Sequence, residues 1–99
     1  MRPLTRHRIP LRDPAVIWRA LEDELVIVRP ASGEIRVLNA VGAFVWRSID
    51  GRLAIADLAS RVSDSFAVSS KQAKVDVEAF VEELVAEGWL SMMSDLESS

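Results

Sequence analysis

Three short antiparallel strands followed by three helices, an α+β domain, is the fold class this sequence predicts. Residues rich in β-branched side chains, ending in the period-two alternation of Glu34–Leu38, give way to a period of about 3.6 from Asn39 onward, which marks strands giving way to helices. The apolar segments before the change are separated by short turn-forming links. Size agrees, because 99 residues with 49% apolar content suit one domain with a single modest core.

The elements follow in order. Met1–Pro14 carries three prolines, spaced arginines and no apolar period, so residues 1–14 read as an extended basic arm. The domain proper is expected over 15–92. Its first strand lies in Ala15–Leu21, rich in β-branched and aromatic residues. Glu22-Asp23-Glu24 suits a tight hairpin into the second strand, Leu25–Arg29. Pro30-Ala-Ser-Gly33 is a turn, after which Glu34–Leu38 alternates polar and apolar residues as a half-buried strand does.

Asn39 is a good N-cap, and Val41, Phe44, Val45 and Ile49 recur at helical spacing until Asp50-Gly51. Ile55, Leu58, Ala59, Val62 and Phe66 form the stripe of a second, amphipathic helix, with Asp57, Arg61 and Asp64 opposite. Ser69 opens a third helix and Gln72 completes a capping-box pattern. Its core stripe is Ala73, Val77, Phe80, Val81 and Leu84, and Gly88-Trp89 predicts a Schellman stop. Trp89–Met92 is expected to pair briefly with the sheet, and 93–99 is a polar tail. The last two helices beside a small sheet make a winged helix-turn-helix-like arrangement.

Composition removes several classes of function. Without cysteine there is no disulfide framework and no thiolate metal site. The longest apolar run, Ala40–Trp46, is far short of the ~20 residues of a bilayer span, and no apolar segment follows the first arginines as in an export signal. A cytoplasmic protein without membrane contact is expected. Net charge is -3, with four of the twelve Lys and Arg, but one of the fifteen Asp and Glu, in the first fourteen residues. From Ala15 onward that leaves eight cations against fourteen anions, which repels phosphate backbones and argues against a nucleic-acid partner. Catalysis lacks its parts: His7 is the single histidine, and phosphate loops and His-x-x-x-His metal spacing are absent. The protein is therefore expected not to be an enzyme and to need no metal or cofactor. Trp18, Trp46 and Trp89 read as core aromatics at element ends.

A family resemblance rests on residues in order. Trp18 and the two apolar strands lead into Gly33-Glu-Ile-Arg-Val-Leu-Asn39 and Gly42-Ala-Phe-Val-Trp46. Asp50-Gly51 follows, then Asp76-Val-Glu-Ala-Phe80, Leu84 and Gly88-Trp-Leu90. No single piece is diagnostic, but their order and spacing over most of the chain resemble the PqqD-like family, the recognition elements for ribosomally made, post-translationally modified peptides. Two positions depart from the family pattern. Ala54 stands where Ser or Thr usually caps the second helix, forgoing about 1 kcal/mol that Asp57 offsets in part. The second strand ends Val28-Arg29-Pro30-Ala31 and departs from the Tyr-Pro-Glu of members serving pyrroloquinoline quinone synthesis, so the resemblance does not extend to that pathway.

The resemblance implies a non-catalytic adaptor that binds the leader segment of a precursor peptide by strand addition and presents it to a modifying enzyme. The enzyme would be a radical SAM enzyme or a leader protease with a cyclase. The expected docking strand is Glu34, Ile35, Arg36, Val37 and Leu38, with Ile35 and Val37 on the core side and Glu34 and Arg36 outside. On the third helix Val75, Ala79 and Ala86 form a second apolar stripe rimmed by Asp76, Glu78, Glu82 and Glu83, favouring a leader with Lys or Arg. Alanine's helix propensity and ordinary solvation account for the same stripe and rim without any ligand. The expected peptide contacts on this helix are Val75, Asp76, Ala79, Glu82 and Glu83. The strand edge also offers itself to a second copy, so both a monomer and a homodimer are compatible with the sequence.

Two other classes fit the sequence less well. In a winged-helix DNA-binding regulator the third helix would be the reader, but Lys71 and Lys74 are outnumbered there by Asp76, Glu78, Glu82, Glu83 and Glu87. In an acyl or peptidyl carrier protein, Asp64-Ser65 would be the attachment pair, but Ser65 closes a helix where such a serine opens one.

Overall fold

The computed structural model describes residues 8–93. The first part of the arm, with Arg2, Arg6 and His7, and residues 94–99 of the tail lie outside them. The elements are β1 (Ile9–Arg12), β2 (Ile17–Leu21), β3 (Glu24–Arg29), β4 (Glu34–Leu38), α1 (Ala40–Ser48), α2 (Ile55–Phe66), α3 (Ser70–Ala86) and β5 (Leu90–Met93). The expected three-stranded antiparallel sheet is present in the order β2-β3-β4, followed by the three expected helices.

Two strands differ from expectation. The second half of the basic arm forms β1, and it pairs antiparallel with β5, Pro10 opposite Met92, in a separate two-stranded sheet. The chain after Trp89 thus meets the arm and not the three-stranded sheet. The strand is four residues long and contains a proline, which lacks a donor and fits only where the ladder does not need one, so no alternation announced it. Pro10 is nevertheless almost wholly buried, which shows that the arm contributes to packing.

Helix ends follow the local chemistry. The Asn39 side chain accepts from the Gly42 amide at 2.9 Å and opens α1. Ala54 has no acceptor to offer α2, but the Asp57 carboxylate accepts from the Ala54 amide at 2.9 Å, so half of a capping box is made. In α3 the Ser69 hydroxyl accepts from the Gln72 amide, while the Gln72 side chain turns forward to Asp76 instead of back. The α3 terminus is the Schellman stop the sequence predicts: Trp89 N donates to Leu84 O at 2.9 Å, Gly88 N to Val85 O at 3.1 Å, and Gly88 takes φ +86.

The core is built from Leu25, Ile27 and Leu38 of the sheet, Val45 and Trp46 of α1, Leu58 and Val62 of α2, and Val77, Val81 and Leu84 of α3, with Trp89 and Leu90 closing it. Every residue of β2 is exposed, so the β2–β3 hairpin projects as a wing, and of its sheet only β3 and β4 enter the core. Arg12 ties the wing's base to the helices, its guanidinium lying 5.4 Å from the Trp18 ring and 5.9 Å from the Trp46 ring. Among the described residues no helix is long and apolar enough to cross a membrane.

Candidate functional site

Among the described residues β4 is the outer strand of its sheet, paired with β3 on one side only. Its phase is the reverse of the expected one. Leu38 stands opposite Leu25 and Arg36 opposite Ile27, both partners in the core, whereas Ile35 and Val37 stand opposite Val28 and Val26 on the outer face. Ile35 is 65% exposed and Val37 55%. A period of two allows one phase per strand, and burying Leu38 against Leu25 sends Arg36 inward with it. Arg36 tolerates this because its stem lies along the strand while its guanidinium reaches α3 and bonds to the Glu83 and Glu87 carboxylates.

α3 runs alongside β4 in the opposite direction, and the space between them is a groove. The end beside Glu34 and Glu87 is tied shut. Arg29 bonds to the Glu34 carboxylate, donates to the Glu87 carbonyl at 3.0 Å and stacks 4.2 Å above the Trp89 ring. Trp89 Nε1 donates to the Glu87 carboxylate at 3.0 Å, and the Arg36 pairs with Glu83 and Glu87 complete the cluster. The Arg36 guanidinium is held above its usual value, first by its hydrogen bond to Glu83 and also by that to Glu87, with burial opposing.

The other end is open. Arg36, Val37, Leu38 and Asn39 face Asp76, Ala79, Phe80 and Glu83 across a cavity of about 310 Å³. A second hollow of about 220 Å³ continues from Asn39, Asp76 and Phe80 towards Val41, Gly42 and Val45. Gly42 makes this approach feasible, since a Cβ there would lie 2.9 Å from Phe80 Cε1. The groove holds backbone polar groups along β4, an aromatic floor in Phe80 and two carboxylates, Glu83, which Arg36 pairs, and Asp76. Among the described residues no group of His, Cys, Asp and Glu could hold a metal ion.

The groove thus brings together Arg36, Val37, Leu38, Asp76, Ala79 and Glu83 of the sequence-derived set. It leaves out the other four. Glu34 belongs to the closed end, Ile35 to the outer face of the sheet, and Val75 to the exposed back of α3. Glu82 is rotated to the far side of α3, 3.8 Å from Arg8. Asn39, Gly42 and Phe80 are additional to the residues that the sequence assigns to the site: there Asn39 serves as a cap, Phe80 as part of a core stripe and Gly42 only as part of the family pattern. A glycine inside the first turn of a helix was the available signal, because such a glycine often marks a close approach.

Comparison with known proteins supplies the lineage. No functionally curated protein matches the sequence. Among solved structures, TbiB1 in complex with the TbiA(beta) leader peptide is similar at a TM-score of 0.74 and 20% identity, over 82% of this chain and 94% of that one. A lasso peptide synthetase B1 complexed with its leader peptide is similar at 0.73 and 22%, over 82% and 95%. The sequence pattern of the family described as coenzyme PQQ synthesis protein D (PqqD) matches residues 24–90, which run from the first residue of β3 to the first of β5. With that match spanning most of the chain, the groove between β4 and α3 belongs to a member of the PqqD family.

Proposed function

We propose that this protein is a leader-peptide adaptor: it takes up the leader segment of a precursor peptide as a fourth strand on β4 and presents it to a modifying enzyme. One observation carries the reading, namely that the edge of β4, unpaired among the described residues, runs beside a groove walled by α3. An unpaired edge supplies backbone donors and acceptors with little demand on sequence, and the groove supplies places for alternate side chains of the added strand. The two similar structures, each holding a leader peptide, support it.

The protein performs no chemistry of its own in this reading, and its partner is a radical SAM enzyme or a leader protease acting with a cyclase. The likeness to a lasso peptide synthetase component puts lasso precursors first among those to try. A homodimer through β4 would use the same backbone groups as the peptide, so peptide and second copy would compete.

The test is a backbone amide NMR titration of the labelled protein with leader peptides encoded by short reading frames beside its gene. Saturable shifts along residues 36–39 and 76–83 are expected. If every peptide leaves these amides unmoved, the adaptor reading fails.

A further inference from the structure

The chemistry along β4 narrows the class of peptide, an inference that rests on the reading of β4 as the capture edge. At about 100° per residue, α3 turns Gln72, Asp76, Ala79, Phe80, Glu83 and Glu87 towards β4, and this set contains no cation. Lys74 is rotated to the α2 side, where it lines a small hollow with Ala56 and Ala59. Arg36 takes up Glu83 and Glu87. Asp76 is different, because among the described residues its carboxylate accepts only from Gln72 Nε2, at 2.8 Å, and has no cationic partner. The open end of the groove therefore carries one uncompensated negative charge beside the apolar surfaces of Leu38, Ala79 and Phe80.

On its other face the same strand exposes two β-branched side chains, Ile35 and Val37, which continue the apolar outer surface of Val26 and Val28. A strand laid along β4 sends alternate side chains to these two faces. Those on the outer face come to rest within about 5 Å of Ile35 and Val37, where apolar and β-branched partners are favoured. Those on the inner face enter the groove, where a Lys or Arg stem lies along Phe80 and Leu38 while its charge meets Asp76.

We propose that the captured peptide is a two-faced cationic strand, with apolar residues at alternate positions against Ile35 and Val37 and a Lys or Arg at an intervening position against Asp76. The experiment selects a phage-displayed library of random peptides, each somewhat longer than β4, on the immobilised full chain and on its Asp76→Lys and Asp76→Asn variants. The expected consensus has period two, with Lys or Arg at one inner position for the parent and Asp or Glu at that position for Asp76→Lys. The parent's consensus peptide should bind Asp76→Asn roughly fivefold more weakly, the upper range for an exposed ion pair, with the melting temperature unchanged.

A consensus with neutral or acidic inner positions, or equal affinity for Asp76→Asn, overturns the proposal and leaves strand capture standing. If no peptide is enriched and the leader titration is also silent, strand capture itself fails and this specificity with it.

Discussion

Near Glu34 and Glu87, β4 is held to α3 by two arginines, three carboxylates and a stacked tryptophan; near Asn39 and Asp76 the same two elements diverge around a cavity. The closed end joins the wing to the C-terminus of α3 and contributes to stability, while the open end has few such ties and leaves its surface free for a ligand. A groove fastened at one end keeps its width without needing an occupant. The difference teaches that acidic residues along one helix need not share a role: Glu83 and Glu87 pair with Arg36, Asp76 bonds among the described residues only to Gln72 at the open end, and Glu82 faces Arg8 on the far side.

Substitutions can break that division. The largest effect is expected from Trp89→Ala, which empties a site only 3% exposed and frees Arg29, lowering stability by roughly 3–5 kcal/mol in denaturant unfolding. Phe80→Ala, at the half-buried open end, should cost less stability but abolish the peptide-induced amide shifts. If Phe80→Ala instead proves the more destabilising of the two, the division fails.

Gly42→Ala comes next. Its Cβ would meet Phe80 at 2.9 Å and drive the ring into the groove, so stability should fall by about 1–3 kcal/mol and peptide affinity about tenfold. Arg36→Gln should remove about 1 kcal/mol, and less at high salt, because these ion pairs are partly solvated. The raised value of Arg36 means that its contribution is fully present below the ordinary guanidinium value and is lost only above it, so its effect should not vary across neutral pH.

Ala67 closes α2 with φ +56, a conformation glycine adopts without a Cβ clash, so Ala67→Gly should raise stability by up to about 1 kcal/mol without touching the groove. The smallest effect concerns the loop after α1. Asp50 is held below its usual value by the amide of Arg52 and then that of Leu53. Its contribution is present above the ordinary aspartate value of about 4 and is lost as pH falls through the lower folded value. Asp50→Asn should therefore melt lower than the parent at neutral pH, and the two curves should converge in acid.

The helices and the three-stranded sheet were legible because each rests on local signals. Asn39 and Ser69 cap, Gly88 stops α3, and Ile55 to Phe66 repeat with one period, all within a few residues of chain. β1 was not legible, since its partner β5 lies at the other end of the described chain and its own four residues include a proline. The phase of β4 misled for a related reason. Ile35 and Val37 outnumber Leu38 as apolar residues, and only the neighbouring Leu25 and the acidic end of α3 decide that Leu38 and Arg36 turn inward.

The sequence by itself determined the order of β2 to α3, the caps that begin and end the helices, the acidic character of α3 and the kinship carried by spaced residues from Trp18 to Leu90. The tertiary structure alone decided which face of β4 meets α3, which carboxylates Arg36 consumes, and that Asp76 and Phe80 share an open groove with Gly42. Periodicity and capping depend on neighbours along the chain, whereas strand phase and charge compensation depend on neighbours across it, and those exist only once β4 and α3 are packed side by side.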